Sequence, residues 1–448
     1  AYGLDQRDGL AGAALAALGL AAVLASCGET VPEAGPASIV VATDLHYTGQ
    51  AIEDGGALFQ QVVEYGDGRQ LDYIRPITDA FLAEVLAEKP DALVLTGDIS
   101  LNGEKASHEE LAAKLQPLVE AGIGVYVLPG NHDINNYAAY RYEGEGRERT
   151  ESVTAEEFEA IYKNCGFAAA ASRDKASLSY MVKLNRGVWL FMLDAEQYAE
   201  QSPGIPYFVG GKLQEKTYQW LEKQLRACQK AGATPLVAVH QNLTDHSAVF
   251  SSGYTLFEND RLGALLQQYG VQVTLSGHLH IQDISPWQGK EGEPVWDIAG
   301  ESLAVWPYQY GTLEVAPAPE GAVYRYGTRE TDLTSWAAAT GQTDPVFADF
   351  SGWGREQFAH NSTTRGRDNI LDTLGSEAGE AQLRLMARLN PLYFAGMLTE
   401  AEADAVRSGA DYQMVQQIAA DRGQENALSY IDSMLAAAGK ENRALELH

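Results

Sequence analysis

The sequence predicts an α/β fold followed by a helical region, and three observations carry that expectation. Short apolar runs, Val125-Tyr126-Val127-Leu128 among them, read as buried strands and alternate with stretches of helical spacing. Five such runs end in side chains of metal-ligand or catalytic type, at the strand ends where open α/β sheets place their sites. From about Asp344 onward the pattern is helical alone.

Taken in order, Leu10 to Ala25 is almost wholly Ala, Leu, Gly and Val, too short for a membrane span and similar to the core of a signal peptide. Leu24-Ala25-Ser26-Cys27 resembles the bacterial lipoprotein cleavage box, which implies a signal peptide over 1–26 and a lipid on Cys27. The expected location is then extracytoplasmic, anchored to the bacterial cell membrane; a buried Ala-rich helix is the alternative. Residues 27–37, with Pro32, Gly35 and Pro36, read as a linker.

Ser38 to Thr43 is an apolar strand ending in Asp44-Leu45-His46. Residues 48–70 read as loop, and Leu71 to Glu88 as a helix with Ile74, Ile77, Phe81, Leu82 and Val85 on one face. Ala92 to Leu95 is a strand ending in Thr96-Gly97-Asp98; a helix follows near Glu109 to Glu120, then the strand into Gly130-Asn131-His132-Asp133. Residues 134–175 read as irregular, with one helix at Thr154 to Asn164. Leu178 to Leu184 and Val188 to Asp194 form a strand pair across an Asn185-Arg186-Gly187 turn. Lys212 to Ala231 is helical, and Pro235 to Val239 is a strand ending at His240. After a helix around Asp260 to Gln268, Val271 to Leu275 ends in Ser276-Gly277-His278-Leu279-His280. Val295 to Ile298, Gly311 to Val315 and Ala322 to Tyr326 are further strands. In the tail, Asp344-Pro345 is an N-cap with Pro at the first helical position, and Thr399 with Glu402 is a capping box. Leu428, Ile431, Met434 and Leu435 lie on one helix face. The expected units are residues 38–333, carrying the chemistry, and a helical bundle over 340–448 beside them.

The net charge of −29 is far from neutral; the first 26 residues hold Asp5, Arg7 and Asp8, so −28 remains without them. No basic tract is present, which argues against a nucleic-acid polymer as partner. An acidic protein acting on an anion needs local positive charge, and metal ions can supply it. Besides Cys27 the chain has Cys165 and Cys228, either a disulfide or two buried thiols.

The strand ends collect Asp44, His46, Asp98, Asn131, His132, His240, His278 and His280, among them five of the nine histidines. His and Asp bind Zn, Mn and Fe, and Asn adds a neutral oxygen. Asp44 and His46 flank one residue and would face the same side of a strand; His278 and His280 would do the same if the strand persists, and if it ends the turn itself sets them. Singly these motifs are ordinary: a Gly-Asp after a strand is usually a turn, and a lone His usually sits in core or surface. Their recurrence in one order at five strand ends is what points to a site. Of the other histidines, His246 reads as a solvated loop residue, His108 as surface at a helix start, and His360 and His448 as tail residues.

Asp44-x-His46, Gly97-Asp98, Gly130-Asn131-His132-Asp133, His240 and Gly277-His278-x-His280 together resemble the signature of the calcineurin-like metallophosphoesterase superfamily, over residues 38 to about 330. Within it the chain is similar to class III cyclic-nucleotide phosphodiesterases of the bacterial lipoprotein type with a C-terminal helical bundle. The resemblance implies a four-layer α/β/β/α sandwich. It implies two divalent or mixed-valence metal ions, Mn, Fe or Zn. Asp44, His46, Asp98 and His280 would hold one and Asp98, Asn131, His240 and His278 the other, with Asp98 bridging. A bridging carboxylate also offsets the repulsion of two cations ~3.5–4 Å apart, and such a pair makes hydroxide available at neutral pH. His132 would protonate the leaving oxygen or hold non-bridging oxygens, with Asp133 orienting it.

The expectation is hydrolysis of a small-molecule phosphodiester by that hydroxide, with a 3',5'-cyclic nucleotide as the narrower form. The alternatives are a phosphomonoesterase such as a nucleotidase, and an envelope binding protein with a vestigial metal site. Residues 47–70 and 134–175 follow ligand motifs, so position makes them the expected substrate-selecting loops.

Overall fold

The computed structural model describes residues 31–318 and 321–448. The expected signal peptide and Cys27 lie outside the described residues. Glu33–His448 is one compact unit; of the other, Ala1–Pro32, only residues 31 and 32 are described.

Three parallel strands start the chain's chemistry: β1 (Ala37–Ala42), β2 (Ala92–Leu95) and β3 (Gly124–Val127). They are nearly continuous apolar runs, the composition of strands covered on both faces. A hairpin of β4 (Tyr140–Glu143) and β5 (Gly146–Arg149) follows. A second sheet takes β6 (Ser172–Arg173), β7 (Tyr180–Asn185), β8 (Val188–Leu193), β9 (Thr234–Val239), β10 (Val273–Ser276), β11 (Asp283–Trp287) and β12 (Val295–Ala299). Its order is β11-β12-β10-β9-β8-β7-β6. The chain then returns to the first sheet through β13 (Gln309–Ala318) and β14 (Gly321–Glu330), and its last residues form β15 (Ala444–Leu447); that order is β15-β14-β13-β1-β2-β3.

The layers can be read from side-chain alternation. In β8, Val188, Leu190 and Met192 join a core that includes Val41 and Val94 of the first sheet. Trp189, Phe191 and Leu193 point the other way into a second core. That second core is closed by Leu221 and Leu225 of α5 and Leu262 and Leu266 of α6, and the first by Phe81 of α2 and Leu111 of α3. These helices are α2 (Ile74–Glu88), α3 (Lys105–Glu120), α5 (Glu215–Lys230) and α6 (Asn259–Gln268), with α1 (Ala57–Glu64) and α4 (Ala155–Ile161) in the loops. The arrangement is α/β/β/α. Cys165 belongs to the first core and Cys228 to the second, and both are free, buried thiols.

The helical region comprises α7 (Leu333–Thr340), α8 (Phe350–Thr364), α9 (Arg367–Leu374), α10 (Ser376–Phe394), α11 (Glu400–Arg407), α12 (Ala410–Asp421) and α13 (Ser429–Ala436). Its N-caps stand where the sequence puts them: Asp344 accepts from the Val346 N–H and Thr399 from the Glu402 N–H, while the Glu402 carboxylate, expected to close a capping box, takes Arg388 instead (2.8 Å). It is tied to the sandwich more closely than a neighbouring bundle. Leu333, Phe350 and Phe358 share the first core, Leu279 and Ile281 enter the core of α10 to α13, and β15 pairs with β14. Two stretches are more ordered than expected. Residues 48–70 contain α1, whose buried Phe59 and Val63 pack under Leu101 and Tyr142; a two-residue stripe is too short a periodic signal to read. Residues 134–175 contain the β4–β5 hairpin besides the expected helix, which ends at Ile161. Among the described residues no helix is long and apolar enough to cross a membrane.

Candidate metal centre and its cavity

The sequence-predicted ligands meet just past the strand ends, and the backbone there is unusual. Asp44, His46, Asp98, His278 and His280 all have left-handed φ, between 46° and 68°. The same-face argument for Asp-x-His on a strand is therefore corrected, and for His-x-His the turn alternative holds: β1 ends at Ala42 and β10 at Ser276, and the turns aim the side chains. Each such residue costs on the order of 1–3 kcal/mol and persists only where its surroundings impose it. Here the loops are stitched together: Asp44 N–H donates to Gly97 O (3.0 Å), His46 N–H to Asp98 O (2.9 Å) and Gly277 N–H to His240 O (2.9 Å).

Each carboxylate is held by one oxygen and leaves the other facing imidazoles. Asp44 Oδ2 accepts from Thr43 Oγ1 (2.6 Å) and the His278 N–H (2.8 Å). Residue 277 is glycine because a Cβ there would collide with the Thr43 hydroxyl and that carboxylate. Asp44 Oδ1 has no hydrogen-bond partner among the described residues and lies 3.2 Å from His280 Nε2 and 3.9 Å from His46 Nε2. Asp98 Oδ1 accepts from the His132 N–H (2.8 Å), while Oδ2 lies 3.3 Å from His240 Nε2. Carbonyls, which only accept, set the tautomers. His240 Nδ1–H donates to Thr96 O (2.8 Å) and leaves Nε2 bare, 3.3 Å from Asn131 Oδ1. His278 Nε2–H donates to Gly253 O (3.1 Å) and leaves Nδ1 bare.

Two ligand groups result, Asp44–His46–His280 and Asp98–His240–His278, the atoms of each within 4.8 Å of one another. Asn131 stands beside the second. His46 Nε2 and His280 Nε2 lie 3.0 Å apart beside Asp44. Buried carboxylate oxygens and imidazole nitrogens that converge in this way are the donor set of a cation, so the residues fit two metal ions. Electrostatics agree. Burial raises the pKa of Asp98, but His240 and His132 outweigh it and hold the carboxyl well below its usual range; at Asp44 burial also raises the pKa, and His280 and His240 outweigh it to lower it. Burial lowers His240, but Asp98 and Asp44 drive it well above the usual imidazole value. Burial, then the charge of His240, presses His278 down to about 3. Two buried carboxylates thus demand positive charge, which metal ions held by these groups would supply.

His132 is not part of either group. Its Nδ1 lies 3.0 Å from Leu101 O and 2.9 Å from Asn102 Oδ1, so Nδ1 carries the proton and Nε2 is free. Tyr207 lies over the ring at 4.3 Å. Burial, with Arg69, outweighs Asp98 and lowers its pKa. The expectation that Asp133 orients His132 is corrected. Asp133 accepts from the N–H groups of Ile99 (3.1 Å), Ser100 (2.9 Å) and Gly130 (2.8 Å) and from Ser100 Oγ (2.7 Å), bracing the two ligand loops. Burial and Asp98 push its pKa up to about 7 against those four donors. Orientation of His132 falls to Leu101 and Asn102 instead.

Two other histidines also differ from expectation. His108 is fully buried, its Nε2 on Asp133 O (3.0 Å) and Nδ1 on the Tyr162 hydroxyl (3.0 Å), and burial lowers its pKa to about 4. His246 is buried between Asp283 Oδ2 (2.6 Å) and Asp297 Oδ2 (3.0 Å).

Above the ligands lies a cavity of about 620 Å³. Asp98, Asn131, His132, His278 and His280 form its floor, and Arg69, Tyr207, Phe250 and Tyr254 its walls. The helical region supplies the roof with Arg365, Met386, Asn390 and Tyr430. The expected loop 47–70 contributes Asp67 and Arg69, whereas 134–175 contributes nothing to this cavity among the described residues. The roof had no local signal, since its residues carry no motif and lie far along the chain from the ligands.

Residues 37–282 match the family model for calcineurin-like phosphoesterase, and residues 332–440 match that for the C-terminal domain of cyclic nucleotide phosphodiesterase. A 3',5'-cyclic-nucleotide phosphodiesterase of Nostoc sp. is 25% identical over 209 residues, covering 45% of this chain and 62% of that protein. Among solved structures, a dimetal phosphatase from Danio rerio aligns with 65% of this chain and 95% of its own at 12% identity and a TM-score of 0.44. A purple acid phosphatase from yellow lupin (Lupinus luteus) aligns with 67% of this chain and 52% of its own, at 15% identity and a TM-score of 0.40.

Proposed function

We propose that this chain, which belongs to the calcineurin-like phosphoesterase family, hydrolyses a phosphodiester at a two-metal site, with 3',5'-cyclic nucleotides as the substrate class. The observation that carries the proposal is the pair of convergent His–Asp groups with free lone pairs, set at the floor of a roofed cavity. In it Asp44, His46 and His280 would hold one metal, and Asn131, His240 and His278 the other, with Asp98 available to both. The N/O donor set suits Mn, Fe or Zn. When bound, the metals supply Lewis acidity and lower the pKa of water to near neutrality.

The chain's own groups do the rest. His132 presents Nε2 to the cavity while Leu101 and Asn102 hold Nδ1–H, so it can hydrogen-bond a phosphoryl oxygen and, once protonated, give that proton to the leaving oxygen. Its lowered pKa favours release of the proton. The roof of Met386, Asn390 and Tyr430 limits bulk water, which strengthens each polar contact inside. A volume of about 620 Å³ is that of a small-molecule pocket. Tyr207, Tyr254, Phe250 and Tyr430 offer aromatic faces on which a nucleobase can stack. The name of the Nostoc relative supports the same substrate class.

The test compares rates of manganese-loaded protein on bis-(p-nitrophenyl) phosphate and p-nitrophenyl phosphate, then on 3',5'-cyclic nucleotides. Diester preference with turnover of a cyclic nucleotide is expected. Monoester preference would replace the proposal with a phosphomonoesterase reading.

A further inference from the structure

We propose that Arg69 is the cation that grips the phosphoryl group of the substrate, held in place by the helical region. The inference deepens the phosphodiester reading above and rests on it. Arg69 lines the cavity beside Asp98, Asn131 and His132. Its Nε donates to Gly66 O (2.9 Å), which fixes the plane of the guanidinium. The terminal nitrogens have no hydrogen bond or ion pair among the described residues, although Asp67 is two positions away. Asp67 is instead paired with Arg365 (3.0 Å). A partly buried guanidinium with its outer donors free, facing a cavity, has the form of an anion receptor. Arginine presents a planar fork that matches two oxygens of one phosphate.

The loop that carries it is clamped by elements distant in sequence. The backbone of Gly68 lies against the Phe358 ring of α8, so close that a Cβ would overlap it. Arg365, just past the end of α8, donates to Tyr65 O (2.7 Å) besides pairing with Asp67. On the far side, the Gln70 N–H donates to Ala304 O (2.7 Å). A chain of net charge −29 repels anions at long range, so fixed positive charge inside the cavity has a task the surface cannot perform.

Two readouts test this on the full manganese-loaded protein: calorimetric affinity for inorganic phosphate, and kcat/KM for the diester. Arg69→Ala is expected to weaken phosphate binding about 10-fold or more and to lower kcat/KM about 10²-fold, with metal content unchanged. Arg69→Lys is expected to restore only part, since an ammonium cannot make the fork. Should Arg69→Ala melt early, Arg69→Gln, which is nearer in length, serves in its place. Phosphate affinity within about twofold of the wild type in a folded, metal-loaded variant overturns the proposal. Phosphate held through Arg69 by a protein that turns over no diester sinks the functional reading and leaves the role of Arg69 standing.

Discussion

Two buried regions of the described residues gather histidine and aspartate, around His246 and around the Asp44–Asp98 centre, and their difference shows what makes such a cluster a site. Around His246, every charge is answered from within. Asp283 takes His246 Nδ1 and Lys440, while Asp297 takes His246 Nε2, the Leu243 N–H (2.6 Å) and the Thr274 hydroxyl (2.7 Å). Around Asp44 and Asp98, by contrast, backbone N–H groups satisfy one oxygen of each carboxylate and leave the other among bare imidazole nitrogens, below a cavity. Both are built on buried histidine and aspartate. Free lone pairs and access set the second apart, and five left-handed residues sustain that arrangement.

Three variants press on this contrast. The largest effect is expected at Asp98→Ala: loss of two-metal loading and a fall in turnover of about 10⁴-fold, the scale of Lewis-acid stabilisation. Near-normal metal content by elemental analysis would contradict the assignment of Asp98 to both metals. Next comes His132→Ala, expected to keep both metals and lose about 10³-fold in kcat, within the range of general acid–base catalysis. Loss of metal from that variant would make His132 a ligand.

The smallest effect concerns the satisfied cluster. Burial lowers the pKa of His246, yet Asp283 and Asp297 raise it to about 9, from 6.5. A raised histidine pKa stabilises the fold fully below the unfolded value near 6.5, and the contribution fades as pH rises through about 9. The groups facing His246 are Asp283, Asp297 and, through Asp283, Lys440 and Ser285. His246→Ala should therefore lower stability at pH 6 by on the order of 3 kcal/mol, with the gap to the wild type closing toward pH 10. Its metal content should match the wild type; a variant that lost metal would erase the contrast between the clusters. Urea unfolding at the two pH values with elemental analysis reads both.

Much was legible in the chain because it is local. Apolar runs marked β1, β2, β3, β9 and β10, and the residue types just beyond them named the ligands. Asp344 and Thr399 marked helix starts, because a cap bonds N–H groups two or three residues away. The weaker signals failed for the same reason. His108 and His246 look like surface residues in sequence, yet Tyr162 and Asp283, their partners, lie 54 and 37 positions onward. Asp133 adjoins His132 in the chain, but the fold turns its carboxylate toward Ile99 and Ser100.

By itself, then, the sequence determined which side chains could bind metal and at which strand ends they stand, since strands and their ends follow from short-range apolar pattern. The tertiary structure alone decided which lone pairs stay free, which histidines are enclosed, and what roofs the cavity. Those depend on neighbours brought from far along the chain, as when Phe358 and Arg365 press on the loop of Arg69. No local pattern records a contact between residues some 300 positions apart.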